Sequence, residues 1–352
     1  MKTVFIGKLT PLLNAVAGEG DLYVPRVSGP HFSFVKYDNH AQVPFEFNNI
    51  RVCTPVKEFL FPLRELAAVI PEPLVEPEKV RPFAVFGLKA CDLRSIEILD
   101  KVFMEEAFED IFYLARRASM FTILADCVNP AGSCFCCILG GRPYAEGGFD
   151  LNVSQVKDGF LIDVGSQKGK DFITAHAQLF ASVPDSLLAE RESNRAETLK
   201  QLERNNTAFA LPTSPKTIVE EGHDSGVFDE QAGTCVECQA CTRVCPTCHC
   251  FYLYDTRKKD YFSKMKMWDS CMRMAYAEVA GGVNPRRVLG DRIRHRLMHK
   301  FAYFLDRYGI EMCVGCGRCV DAEAGEVDIR VILKRLSEEP RNNSKQAKAA
   351  KW

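Results

Sequence analysis

The run Cys235-Val-Glu-Cys238-Gln-Ala-Cys241-Thr-Arg-Val-Cys245-Pro246 places its cysteines at the C-x2-C-x2-C-x3-C-P spacing of bacterial ferredoxins. Three thiolates on so short a loop cap three irons of one cubane. The fourth, on the turn that leaves the loop, normally reaches the other cluster of a two-cluster fold. Pro246 suits that exit because it has no amide hydrogen to donate. A second set follows as Cys313-Val-Gly-Cys316-Gly-Arg-Cys319, where Gly315 and Gly317 let the backbone approach inorganic sulfur and offer it amides. Counting onward as in the first motif puts Glu323 where a cysteine is expected.

Crossed ligation therefore groups Cys245 with Cys313, Cys316 and Cys319, and leaves Cys235, Cys238 and Cys241 without a fourth thiolate. Glu323 can fill the place through oxygen, another cysteine can step in, or the site can hold a [3Fe-4S] cluster. Cys248, Cys250 and Cys271 are the spare cysteines at hand, and buried structural thiols are the alternative for each. His249, between two of them, can be a ligand, with a hydrogen-bond donor to a ligand or a plain surface residue as the favoured readings. A third group lies nearer the N-terminus. Cys91 and Cys127 each follow a strand-like segment, and Cys134-Phe-Cys136 comes soon after. Two strand ends and a short loop can converge on one point, enough for one more cubane or a zinc site, with core cysteines as the alternative. Cys53 and Cys137 are expected to be non-ligands. The count is then about three [4Fe-4S] clusters at roughly four ligands each.

Sixteen cysteines in 352 residues need such a purpose, because a reducing cytosol does not favour structural disulfides. No secretion signal is expected: Lys8, Glu19 and Asp21 interrupt the N-terminal apolar residues. No uncharged apolar run approaches the roughly 20 residues of a spanning helix, and the reading is cytoplasmic. A formal net charge of -1 gives no nucleic-acid footprint.

Positioning these residues requires an α+β fold, α/β-like at first and then mainly helical and ferredoxin-type. Phe83–Gly87 and Phe121–Ala125 read as strands, the first followed by a helical pattern in Leu93, Ile96, Ile98 and Leu99. Two runs, 150–156 and 159–164, read as a hairpin. Pro184 to Arg204 reads as an exposed amphipathic helix leading out of the domain, and Leu211–Pro215 with Glu220–Gly226 as a linker. The expected divisions are residues 1–220 for an α/β domain with one cluster, 221–340 for a helical domain with two, and 341–352 for a fraying tail. Helical patterns are read through Phe262–Ala280, with Met265, Met267, Met272, Met274 and Trp268 as core, and through Arg292–Tyr308. The basic run from Arg286 to Lys300 can dock an acidic partner or offset the negative charge of clusters, with a solvated helical face as the alternative. The segment Gly165-Ser-Gln-Lys-Gly169 lacks the spacing of a phosphate loop, and no G-x-G-x-x-G dinucleotide motif is present.

With these residues in view, the chain resembles the iron–sulfur beta subunits of cytosolic sulfhydrogenases and the related iron–sulfur subunits of anaerobic sulfite reductases. The likeness runs through Gly87-Leu-Lys-Ala-Cys91-Asp-Leu, Tyr113-Leu-Ala-Arg116-Arg117, Cys134-Phe-Cys136, Gly148-Phe-Asp-Leu151 and Val164-Gly-Ser-Gln-Lys-Gly169. It continues in Cys245-Pro-Thr-Cys248-His-Cys250-Phe, Asp269-Ser-Cys271, Arg292-Ile-Arg-His295, His299-Lys300 and the Cys313 motif. The resemblance implies an anaerobic electron relay between a flavin- and NAD(P)-binding partner and a catalytic subunit such as a hydrogenase, a sulfite reductase or a heterodisulfide-reductase-like module. Glu323 departs from the family pattern of cysteine followed by proline. Two other functions remain open at this point. One is a catalytic subunit that binds a sulfur substrate at an incompletely ligated cluster. The other is a zinc-stabilised interaction module.

Overall fold

The computed structural model describes residues 2–28, 31–38, 51–71, 79–258 and 261–339, so the expected tail at 341–352 lies outside the described residues. A seven-stranded sheet is built from β1 (Lys2–Ile6), β2 (Asp21–Ser28), β3 (His31–Lys36), β5 (Phe83–Leu88), β6 (Met120–Ala125), β7 (Leu151–Val156) and β8 (Gly159–Val164), in the order β1-β8-β7-β6-β5-β2-β3. β2, β5, β6 and β7 run parallel, while β1, β3 and β8 close the edges antiparallel. The parallel centre explains the near-continuous apolar sequence of β5, in which Ala84 to Leu88 are buried. Helices α1 (Leu9–Glu19), α2 (Lys57–Leu60), α3 (Ala90–Phe103), α4 (Ile111–Ser119), α5 (Gln167–Ala175) and α6 (Asp185–Asn205) accompany the sheet.

The carboxyl ends of β5 and β6 deliver Cys91 and Cys127, the edge where open parallel sheets present ligands. α6 does not lead away from this edge. Its Arg195 Nε donates to Asp126 Oδ2 at 2.7 Å, next to Cys127, and Asn206 just beyond it donates to the Cys134 carbonyl at 2.8 Å. The polar face read as solvated thus clamps the cysteine loop.

Residues 221–340 are less purely helical than expected. β9 (Phe251–Lys258) and β10 (Tyr261–Trp268) form a hairpin that extends β4 (Arg64–Ile70) into a second sheet, in the order β4-β10-β9. The helical reading of Phe262–Ala280 fails because Tyr261 to Trp268 pairs on both sides, with β4 and with β9, and a register shift between Lys264 and Met265 breaks any simple alternation, leaving Ser263, Lys266 and Trp268 as its buried residues. Trp268 is buried and donates to the Phe61 carbonyl at 3.0 Å, Met272 is buried, and Met274 is 56% exposed. Most of the two stretches read as a linker is irregular, at 211–214 and 222–226, with α7 (Pro215–Glu221) between them and α8 (Val227–Ala232) following the second. Ile218, Val219, Val227 and Phe228 bury themselves in one core with Phe135 and Leu139 from the first half and Leu297 and Phe301 from the second. The remaining helices are α9 (Ala240–Arg243), α10 (Leu289–Met298), α11 (Phe304–Tyr308), α12 (Arg318–Ala322) and α13 (Ile329–Glu338), with a π turn at His299–Tyr303 joining α10 to α11.

A buried ion pair fixes the two halves to each other. Arg318, between two motif cysteines, donates to Asp92 Oδ1 at 2.7 Å and to the Val52 carbonyl at 2.8 Å, and both side chains of the pair are at most 2% exposed. Asp92 also accepts from the Lys89 amide at the start of α3, beside Cys91. Removing one partner strands a buried charge, so Asp92→Leu should cost about 3–5 kcal/mol, measured by denaturant unfolding without oxygen. The matched pair Asp92→Leu/Arg318→Met should regain most of that loss; a double variant as unstable as the single one would contradict this role.

Candidate iron–sulfur centres

Cys91, Cys127, Cys134 and Cys136 line one small cavity together with Arg51, Lys89, Gly315 and Cys316. The strand ends and loop that were expected to converge are brought together. Cys245, Cys313, Cys316 and Cys319 line a second cavity with Thr247, Lys300 and Gly317, the grouping that crossed ligation requires. The two cavities share Cys316 and Gly315. Gly315 has φ +63° and would bring a Cβ to 2.5 Å from Cys136 Cα, and Gly317, φ +73°, would bring one to 2.3 Å from the Ser133 carbonyl oxygen. Only glycine lets the second motif lie this close to the N-terminal loop.

The third set is more open. Cys238 is exposed, Cys235 half-buried and Cys241 buried. The buried carboxylate of Glu323 meets Cys238 Sγ at 3.8 Å and also faces Cys235 and Cys241. Backbone strain shapes this loop, with Glu237 at φ 54° and Gln239 at φ 62°, both in the left-handed region. Cys248 hydrogen-bonds the Cys245 thiol, and Cys250 hydrogen-bonds both Cys271 and the Tyr276 hydroxyl. Cys53 is exposed and Cys137 donates to the Leu202 carbonyl at 3.7 Å; neither lines a thiol cavity. His249 is no surface residue. Its ring packs between Phe103, His299 and Phe304, with Nδ1 at 3.0 Å from the Thr247 carbonyl, and burial lowers its pKa to about 4.

Buried cations surround these thiols, a feature only partly anticipated from the basic run. Arg292, Arg296 and Lys300 follow one another at four-residue intervals along α10 and the π turn, and are 2%, 5% and 2% exposed. Arg292 reaches Glu237 at 2.9 Å, while Lys300 donates to Cys245 Sγ and to Thr247 Oγ1, each at 3.3 Å. Lys57 donates to the Cys248 carbonyl at 2.8 Å and sits 4.0 Å from the Trp268 ring centre. The solvated-face reading fails for these α10 residues. Among the described residues, Lys57, Arg296 and Lys300 form no ion pair with a carboxylate; their anionic neighbours are cysteines. Burial alone would lower Lys300, but negative charge on the neighbouring sulfurs, that of Cys245 first, outweighs it and holds the ammonium well above its usual pKa.

Most of the thiols themselves are pushed up by burial, Cys134 and Cys319 to about 11 and Cys313 to about 12. Such groups keep their protons until a metal replaces them, because coordination deprotonates a thiol outright. Among the described residues no three His, Cys, Asp or Glu side chains close around a single metal ion. The donor set, cavities ringed by thiols and unpaired buried cations, fits anionic clusters.

Residues 234–327 match a model of the 4Fe-4S dicluster domain, which spans the first two motifs and the hairpin between them. Over 329 residues the chain is 32% identical to sulfhydrogenase 2 subunit beta of Pyrococcus furiosus, covering 92% of this chain and 95% of that protein. The chain belongs to the sulfhydrogenase beta-subunit family. It is an iron–sulfur electron-transfer subunit with [4Fe-4S] clusters, and none of its described helices is long and apolar enough to cross a membrane. No solved structure matches it. The buried ammonium of Lys300 would tune a cluster held by the neighbouring cysteines, since local positive charge favours the reduced, more negative cluster. Lys300→Met should lower the midpoint potential of a cluster held by Cys245, Cys313, Cys316 and Cys319 by on the order of tens of millivolts in an EPR-monitored titration. An unchanged potential would mean that the charge is screened from the cluster.

Proposed function

We propose that this beta-subunit homologue relays electrons through three [4Fe-4S] clusters arranged in a line. The first is held by Cys91, Cys127, Cys134 and Cys136, the second by Cys245, Cys313, Cys316 and Cys319, and the third by Cys235, Cys238 and Cys241 with one further ligand. The observation that carries this reading is the wall shared by the first two cavities, to which Cys316 belongs. Cys241 and Cys245, on one turn of chain at α9, link the second site to the third. When bound, each cluster takes up and releases one electron.

The protein's own residues keep the intervening space dry and supply fixed positive charge, so little has to reorganise when charge moves. At one end Cys91 and Cys136 border an open cavity of about 180 Å³ with Arg94, Arg142 and Tyr144. At the other, Val236 is 62% exposed beside Cys235, and Arg292 ties Glu237 to the carbonyls of Arg286 and Arg287, next to exposed Val283 and Val288. These two ends suit a flavin- and NAD(P)-binding partner and a catalytic redox subunit of the hydrogenase, sulfite reductase or heterodisulfide-reductase-like kind. The relative's name, with its sulfhydrogenase role, supports a multi-subunit oxidoreductase. We further place the functional division near residue 220, between one cluster on strand ends and two on ferredoxin-type loops, and the assembly in the cytoplasm.

Adjacent reduced clusters couple magnetically, so the fully reduced, anaerobically purified chain should give a broadened, interacting EPR spectrum. Cys134→Ala should simplify that spectrum while leaving the signals of the other two clusters in place. A spectrum of isolated clusters, or steady-state reduction of sulfite or polysulfide by the chain alone, would contradict the relay.

A further inference from the structure

Glu323 stands where the second motif would carry its fourth cysteine, and its side chain is only 8% exposed. A carboxylate taken out of water needs a cation or a full set of donors. Among the described residues it forms no ion pair. One oxygen, Oε2, accepts from the Val327 amide at 2.8 Å, which fixes the carboxylate plane. The other, Oε1, points at Cys238 Sγ, 3.8 Å away. The turn behind it is held in place, because a Cβ on Gly325 would come to 2.3 Å from the Thr234 carbonyl oxygen and 2.9 Å from Cys235 Cα. The chain that presents Glu323 therefore packs directly on the loop that presents the three cysteines.

The competing donor is Cys271. It is buried, but its thiol is engaged with Cys250, and of the three cysteines in question only Cys241 stands among its main charged neighbours. Glu323 faces all three. We propose that Glu323 ligates the fourth iron of the cluster on Cys235, Cys238 and Cys241 through Oε1, making this a cubane with three soft thiolates and one hard oxygen donor. A carboxylate holds iron less firmly than a thiolate and leaves that iron the most exchangeable of the four. It also gives this cluster a potential unlike that of its all-cysteine neighbours. The proposal rests on the relay reading only in taking these three cysteines as cluster ligands.

The test compares the full chain, purified without oxygen, with Glu323→Ala, Glu323→Cys and Cys271→Ala. Glu323→Ala should lose about one iron per chain and gain the EPR signal of an oxidised three-iron centre. Glu323→Cys should keep the parent iron content with a shifted midpoint for this one cluster. Cys271→Ala should match the parent in iron and potential. The proposal is overturned if Cys271→Ala, rather than Glu323→Ala, yields the three-iron signal, or if Glu323→Cys, which retains a ligand and so guards against misfolding, has the parent potential. Failure of the relay reading is separately visible, as absence of the N-terminal cluster from the parent protein whatever the residue at 323.

Discussion

Positive charge buried against sulfur is the constraint around which this protein is organised. Arg296 and Lys300 are carried into the interior at 5% and 2% exposure with no carboxylate ion partner among the described residues. Burying an ammonium or guanidinium alone is costly, so each must face an anion that the fold supplies or accepts. Here the neighbouring anions are cysteine sulfurs, which would carry the negative charge of a bound cluster. The same logic runs through Arg318, whose ion pair with Asp92 joins the α3 start to the second cysteine motif, and through Arg51, which reaches Asp321 at 2.6 Å while facing Cys134 and Cys316. Folding of the two halves around one another would thus be coupled to the binding of metal at their cysteines.

Close approach follows from that coupling. The Gly315-Cys316-Gly317 backbone lies against Ser133 and Cys136, and Phe135 donates its amide to the Gly315 carbonyl at 2.8 Å. A side chain at either glycine would push the first two thiol sets apart. Short distances between centres are what a relay needs, and main-chain contact between residues about 180 apart in sequence holds these two thiol sets close.

The ferredoxin-type motifs, the strand ends at Cys91 and Cys127, the hairpin of β7 and β8 and the helix at 185–205 were legible because each rests on local spacing or periodicity. What was not legible depends on partners distant in sequence. β10 is a strand because it pairs with β4 nearly 200 residues earlier, a contact that no local pattern encodes. The direction in which Arg292, Arg296 and Lys300 point was hidden for a similar reason: their four-residue spacing defines a common face but not whether that face meets water or thiols. The polar face of α6 looked solvated because Asp126 and Asp163, its buried counter-ions, come from separate strands. The cysteines beyond the motifs gave no signal as to which pair, Cys250 with Cys271 or Cys245 with Cys248, would meet.

The central claim, that three thiol sets hold three clusters in line, is tested most directly by iron and acid-labile sulfide per chain in protein purified without oxygen. The predicted result is about twelve irons with matching sulfide. About eight would mean that the cysteines on the strand ends of β5 and β6 are structural, and zinc without sulfide would contradict the three-cluster relay altogether.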